Sequence, residues 1–471
     1  MIAKTLGEIA AMIPGAECPA RFAKAKVRGV GTDSRKLTEG SLFVPLIGEH
    51  FDGHAFAGEA LQKGAAAVLW QRGRGQPPDG PHVLVGDTLS ALQQLAASYR
   101  RELSVRVVGI TGSSGKTTTK DMVAAVLAAE WRVRKTQGNL NNHIGLPLTL
   151  LELDEETEIA VLEMGMSGFG EIALLSSIAR PDAAVITNIG EAHLAQLGSR
   201  EGIARAKFEI ASGLKEGGLL VIPGDEPLLA ALIEETKAGG RFDIITFGQS
   251  GDSHYGLESV KVGAEGTEFS VRKANGTVTE PFFVPLLGRH NAMNAVAAYA
   301  LASRLGLGDS QFGEAIRRIT PAGMRAETVR AASGLTILND AYNANPTSMK
   351  AAIRLLGELG GFRRKIAVLG DMLELGHDAE RLHREIGRMI RPDVVERVYT
   401  YGTLAAYIAE ECASRFPPGR VQSFADKEAL AARLIAETGP GDVMLVKASR
   451  GMKMEDVVEA LRSGTTQNNG K

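Results

Sequence analysis

The chain has 471 residues, enough for about three domains at roughly 150 residues each. With 53 Lys and Arg against 55 Asp and Glu the formal charge is −2, so no global basic field exists to hold a nucleic-acid backbone or an anionic membrane, and aromatics at 5% offer no base-stacking platform. A hydrophobic share of 44% excludes general disorder, and 55 glycines, about 12% of the chain against a typical share near 7%, mean either low-complexity linkers or many tight turns.

In chain order, MIAKTLGEIAAMI reads as an amphipathic helix interrupted by Glu8 and lacks the apolar core of a secretion signal. No apolar stretch approaches the ~18 residues of a membrane span, so a cytoplasmic protein without membrane insertion is expected. Cys18 and Cys412 are far apart and are expected as free thiols. Strands are expected at 41–46, 65–70 and 82–85, then a helix from Leu89 to Leu103. From a strand at 105–110, apolar runs at 159–162, 183–186 and 219–222 alternate with helical patterns, which implies parallel βαβ units. Residues 243–286 are short, alternating and turn-punctuated, and read as an antiparallel insertion. A helix follows at about 291–305. The pattern resets near Thr320-Pro321-Ala-Gly-Met-Arg325, and strands at 336–339, 365–369, 398–401 and 443–447 make another α/β unit. The tail after Leu461 is polar and expected to be disordered.

The strongest motif is Val108-Gly-Ile-Thr-Gly-Ser-Ser-Gly-Lys-Thr-Thr-Thr119, set between an apolar strand and a helix. Gly112, Ser113, Ser114 and Gly115 supply a loop whose amides can wrap phosphate oxygens at a helix N-terminus. Lys116 can reach the terminal phosphates, and Thr117 or Thr118 can offer a hydroxyl to Mg²⁺. The spacing departs from the common form, since position 110 is Ile and the first glycine is Gly109.

Glu163 and His193 follow strands of the same unit, where open parallel sheets place ligands, and make a partial Mg²⁺ shell. Each alone also fits a structural role. Lys207, by pattern alone, reads as an exposed helix lysine near Glu209. Asn291 and Asn294 share a helix face suited to an adenine edge, with helix capping by Asn291 as the equal alternative. Leu338-Asn-Asp-Ala-Tyr-Asn-Ala-Asn-Pro346 is a strand end dense in polar groups, which suggests ligand contact; an Asx-turn before Pro346 is the alternative. Arg325, Lys447, Ser449 and Arg450 stand where they can reach a phosphate.

These segments, with Thr136-Gln-Gly-Asn-Leu-Asn-Asn-His-Ile-Gly-Leu-Pro147, Leu369-Gly-Asp-Met-Leu-Glu-Leu-Gly376 and Lys447-Ala-Ser-Arg-Gly-Met-Lys453, resemble the Mur ligase family, the ATP-dependent amide-forming enzymes of peptidoglycan precursor synthesis. The resemblance spans nearly the whole chain, and the phosphate loop follows the family form with Gly109. It implies an α/β, three-domain architecture: residues 1–99 for the UDP end of the substrate, 100–320 a central P-loop ATPase-type parallel sheet, and 321–471 a C-terminal Rossmann-like domain for nucleotide and incoming amine. Glu163, His193 and Thr117 then look like Mg²⁺ ligands, and Lys207 sits where such ligases carry a carbamylated lysine. Asn291, Asn294, Arg325 and Asp340 look like ATP contacts, and Thr32, Ser34 and Arg35 resemble the uridine-nucleotide end. Asn141, Asn142, Tyr342, Asn343 and Asn345 are expected near the muramyl peptide or the incoming dipeptide. The 339–349 segment resembles members that join D-alanyl-D-alanine to a UDP-N-acetylmuramoyl-tripeptide. Other expected readings are addition of a single amino acid and a nucleotide-dependent switch, although no clear apolar strand ending in Asp supports a motor. A monomer is expected.

Overall fold

The structure, a computed structural model, describes residues 1–320 and 323–465. Pro321 and Ala322 of the pattern reset, and residues 466–471 of the polar tail, lie outside the described residues. The helix Glu455–Ser463 carries order past Leu461, the point at which disorder was expected to begin.

Among the described residues the strands form four sheets. The first turn of chain corrects the N-terminal expectation. Ala3–Thr5 is a strand, paired antiparallel with Lys26–Arg28, and the helix runs only over Leu6–Ala11. Glu8 does not interrupt this helix but starts it: its carboxylate accepts the Thr5 N–H at 2.7 Å while the Thr5 hydroxyl accepts the Glu8 N–H at 3.4 Å, a capping box. Four parallel strands follow, in the order Val30–Gly31, Leu42–Phe43, Ala67–Gln71 and His82–Val85. Their side chains pack on a helix at Thr88–Glu102, begun by Asp87, whose carboxylate accepts the Ser90 N–H.

The large sheet is mixed, parallel over most of its strands and antiparallel at one end. Its order is Phe282–Val284, Thr267–Lys273, Tyr255–Val262, Asp243–Gly248, Leu219–Pro223, Ala183–Ile186, Arg106–Thr111, Ile159–Glu163 and Val133–Lys135. Strands 106–111, 159–163 and 183–186, each flanked by strands on both sides, are buried from Val107 to Thr111 and along their whole length in the other two, as continuous apolar runs require. The 243–286 segment is no separate insertion. Asp243–Gly248 extends the parallel ladder, and antiparallel pairing begins only between 255–262 and 267–273. Asp243–Gly248 is paired on both sides but only partly buried over its first residues, so it lacks the continuous apolar run of its parallel neighbours and reads from sequence as an antiparallel strand.

The third unit has the order Glu327–Arg330, Thr336–Asp340, Asp442–Lys447, Arg364–Gly370, Arg397–Tyr401 and Val421–Phe424, parallel except at its first edge. Asp442, buried beneath the sheet start, is held by Arg363 and Arg364, with the Arg364 Nη2 at 2.6 Å. The edge strands 133–135, 327–330 and 421–424, interrupted by charged or polar residues, carry weak apolar signals. Cys18 and Cys412 are both free. No helix of the described residues is long and apolar enough to cross a membrane.

Candidate active site

Thr111 ends its strand, and the next residues turn sharply into the helix Lys116–Leu127. Gly112 and Gly115 make the turn with φ of +147° and +79°. A Cβ at Gly112 would overlap the Thr187 hydroxyl, and one at Gly115 would lie 2.7 Å from Asn294 Oδ1. The loop is braced from the neighbouring strand end. The Asn188 carbonyl accepts the Ser113 N–H at 3.0 Å, Asn188 Oδ1 accepts the Ser114 N–H at 3.0 Å, and Thr187 donates to the Ser114 carbonyl at 2.6 Å. Bracing by side chains leaves the first-turn amides of Lys116 to Thr118 as the unpaired donors of a helix N-terminus.

Lys116 donates to the Gly112 carbonyl at 2.8 Å. Burial lowers its pKa, Glu163 acts in the opposite direction, and Arg325 adds to the lowering. Glu163 is 3% exposed. Its N–H goes to the Thr136 hydroxyl at 2.9 Å, and Oε1 accepts from Asn141 Nδ2 at 2.8 Å. Oε2 is buried with no hydrogen-bond partner. A buried carboxylate oxygen without a donor is costly, and a cation satisfies it.

The structure overturns the exposed reading of Lys207, which is 1% exposed. Its helix, Arg200–Phe208, starts at Ser199, whose hydroxyl accepts the Gly202 N–H, and buries Ile203, Ala204 and Lys207 on one face. Glu209 does not pair with it; that carboxylate accepts the Gly170 and Ala173 N–H groups. Burial and the nearby Lys116 charge push the Lys207 pKa well down. No hydrogen bond to its Nζ is found among the described residues. The neutral amine, the form that adds to CO₂, is therefore more populated than in an exposed lysine. His193 belongs to the same charge cluster: burial lowers its pKa, Glu374 raises it, and Lys116 and Lys207 lower it. Among the described residues no three His, Cys, Asp or Glu side chains cluster as a ready metal cage. Glu163 and His193 fit a cation only with a further anion, which a carbamate on Lys207 would supply.

This electrostatic reading has a stability consequence. A lysine with a depressed folded pKa penalises folding wherever the unfolded lysine is protonated, fully below the folded pKa and less as pH rises towards the unfolded value. Lys207→Met is therefore expected to raise the melting temperature in CO₂-free buffer, more at pH 6 than at pH 9. Thermal unfolding at the two pH values checks it.

Gly288, not Asn291, caps the helix Arg289–Arg304. Asn291 instead donates to the Leu287 carbonyl at 2.9 Å and accepts from Asn294 at 3.3 Å, so the pair is a buried amide relay beside the phosphate loop. Opposite it stand the carboxyl ends of the third sheet. Asp340 and Lys447 are register partners, and Lys447 donates to Asp340 Oδ2 at 2.6 Å and to the Asn343 carbonyl at 3.0 Å. The Arg325 guanidinium lies 4.0 Å from the centre of the Tyr342 ring. Asn345 follows the capping alternative: its Oδ1 accepts the Ser348 N–H at 2.9 Å and begins the helix at Pro346. It also touches the phosphate loop, Nδ2 donating to Ser114 Oγ at 3.1 Å. Asn345→Ala is expected to cost about 1 kcal/mol of stability, the usual value of such a cap, read by denaturant unfolding. Asn142 holds the turn before the next helix, its Oδ1 accepting the Gly145 N–H at 2.8 Å and the Ile144 N–H at 3.2 Å.

One cavity of about 650 Å³ joins these groups. Ser113 to Thr118, Asn141, Asn142, Glu163, His193, Asn291, Asn294, Arg325, Asp340, Tyr342, Asn343 and Asn345 all line it. Lys207 lies buried and outside the lining, reached only through its neighbours' charges. Thr32, Ser34 and Arg35 are not brought to this cavity; Arg35 turns back on Asp33, its Nε donating at 2.8 Å. Sequence reasoning missed His290, which lines the cavity and whose pKa burial lowers, Asp340 acting in the opposite direction. It also missed Glu374, which stands 2.8 Å from His193. His290 adjoins Asn291 in a segment already singled out, whereas a partner from a distant loop leaves no local signal.

The sequence matches the families described as Mur ligase family, catalytic domain over residues 26–100, Mur ligase middle domain over 110–302, and Mur ligase, glutamate ligase domain over 324–450. It is 51% identical to the UDP-N-acetylmuramoyl-tripeptide–D-alanyl-D-alanine ligase of Bacillus subtilis, over 98% of this chain and 99% of that one. The fold is similar to MurF from Acinetobacter baumannii, with a TM-score of 0.87 and 30% identity over 98% of this chain and 99% of that one. It is also similar to MurF ligase from Thermotoga maritima in complex with ADP, with a TM-score of 0.81 and 32% identity over 93% of this chain and 97% of that one. The phosphate loop, the cavity beside it and these full-length matches agree: the chain belongs to the Mur ligase family.

Proposed function

We propose that this chain joins D-alanyl-D-alanine to UDP-N-acetylmuramoyl-tripeptide, converting ATP to ADP and phosphate. The observation that carries the reading is the shared cavity: the phosphate loop and Glu163 open onto the same space as Asp340 to Asn345. A nucleotide's terminal phosphate, a peptide carboxylate and an incoming amine can meet there. The full-length relative from Bacillus subtilis supports the choice of dipeptide. In this assignment residues 1–99 take the UDP end, with Thr32, Ser34 and Arg35 at it. Residues 100–320 take ATP, and residues 321–471 take the dipeptide and part of the nucleotide.

A carboxylate does not condense with an amine at neutral pH because oxide is a poor leaving group. The tripeptide carboxylate attacks the γ-phosphorus, the bond to ADP breaks, and an acyl phosphate forms. The dipeptide amine then attacks the carbonyl, and the tetrahedral adduct expels phosphate. The protein's part is position and charge. Lys116 and the first-turn amides hold the terminal phosphates. Asn291 and Asn294 meet the adenine, while Arg325 and Asp340 meet the nucleotide from the opposite wall. Asn141, Asn142, Tyr342, Asn343 and Asn345 border the peptide path. Thr117 would hold one Mg²⁺ at the terminal phosphates, and Glu163, His193 and a Lys207 carbamate would hold a second; the two ions would supply neutralisation between the two anions. Closure of the C-terminal unit over the central one excludes water from the acyl phosphate.

The test is product mass after incubation with the tripeptide substrate, ATP and either D-alanyl-D-alanine or single amino acids. Pentapeptide formed only with the dipeptide is expected. Equal products with a single amino acid would overturn the assignment.

A further inference from the structure

His193 and Glu374 come from different units yet face each other, Nδ1 to Oε2 at 2.8 Å. An exposed ion pair of this kind is ordinarily worth little, and the Glu374 side chain is 55% exposed. Its backbone argues for more. Both residues are non-glycine yet sit in the left-handed region, at φ +61° for His193 and +63° for Glu374. That conformation is costly for each and persists only where surroundings impose it.

The surroundings do impose it. The Glu374 carbonyl accepts the Ala195 N–H at 3.2 Å, so the two turns are tied backbone to backbone. Before Glu374, the Met372 N–H goes to His383 Nε2 at 2.9 Å and the Leu373 N–H to Ser449 Oγ at 2.9 Å. After it, Leu375 is buried, and Gly376 packs so closely that an added Cβ would lie 3.3 Å from Ala195. The loop thus presents one carboxylate to one imidazole. The His193 Nδ1 atom is buried, with no well-aligned acceptor, so a small turn of either side chain completes the bond.

A histidine that ligates a metal through one ring nitrogen almost always donates its other N–H to a carboxylate or carbonyl, which fixes the tautomer. We propose that Glu374 is a positioning residue for the cation site: its carboxylate takes the Nδ1–H of His193 across the boundary between units, leaving Nε2 as the lone-pair nitrogen for the metal. Metal ligation is thereby linked to contact between the C-terminal and central units, since withdrawal of the 371–376 loop removes the carboxylate. The inference rests on the proposed metal role of Glu163, His193 and Lys207.

The experiment is Mn²⁺ binding by electron paramagnetic resonance, in CO₂-equilibrated buffer with a non-hydrolysable ATP analogue, on the full chain. The wild type is expected to bind two Mn²⁺ ions. Glu374→Ala is expected to weaken one of them about tenfold and leave the other and the nucleotide affinity unchanged, with Glu374→Gln, which keeps an acceptor, in between. Equal affinities for both ions in wild type and Glu374→Ala would overturn the role of Glu374 alone. A wild type that binds a single ion would overturn the metal reading beneath it as well.

Discussion

Lys116→Ala is expected to lower turnover about a thousandfold or more while the protein stays folded, the scale of losing a charged donor aimed at transition-state charge. In the free protein the ammonium has only the Gly112 carbonyl at 2.8 Å, and burial works against its charge. Its removal therefore takes little from folding. With nucleotide bound, the same ammonium faces the oxygens on which charge shifts during phosphoryl transfer, and no other lysine of the phosphate loop can replace it. The depressed pKa adds a pH signature. The charged form is lost at a lower pH than for a free lysine, so nucleotide affinity should fall as pH rises into the alkaline range. Phosphate release and thermal unfolding on the same preparation check both halves. Normal turnover would remove Lys116 from the mechanism.

Lys207→Ala is expected to be nearly inactive and partly rescued by acetate or another small carboxylate. The side chain is fully buried beside Lys116 and His193, on which the carboxylates of Glu163 and Glu374 act in turn. An ammonium there meets the like charge of Lys116 with no hydrogen-bond acceptor beside it among the described residues. Addition of the neutral amine to CO₂ forms a C–N bond, releases a proton and replaces that cation with an anion. Alanine leaves a space near the same groups that a small carboxylate can enter. Phosphate release titrated with acetate measures the recovery. Full activity without acetate would dispose of the carbamate.

The central strands were legible because burial on both faces writes continuous apolar runs: 183–186 is found over the residues read from sequence, and 106–111 and 159–163 within a residue or so. The phosphate loop was legible because its glycines and lysine are local. Glu8 and Lys207 were misread for one reason. Each was judged by residue type, whereas position decided: Glu8 is the third helical residue after Thr5, and Lys207 occupies an apolar slot four residues after Ile203. Asp243–Gly248 was misread because its first residues are only partly buried, so it carries no continuous apolar run although it pairs in parallel on both sides. Asn345, expected at substrate, caps a helix, and Asn142 holds the turn before another, since one side-chain amide serves either purpose. The His193–Glu374 approach joins residues 181 positions apart (374 minus 193), and no local pattern encodes it.

The central claim is that the peptide carboxylate is activated by direct phosphorylation. The most direct measurement uses UDP-N-acetylmuramoyl-tripeptide whose terminal carboxylate oxygens carry the heavy oxygen isotope, with mass analysis of the phosphate released during ligation to D-alanyl-D-alanine. An acyl phosphate requires one labelled oxygen to leave with each phosphate. Unlabelled phosphate, released at the rate of product formation, would contradict the account.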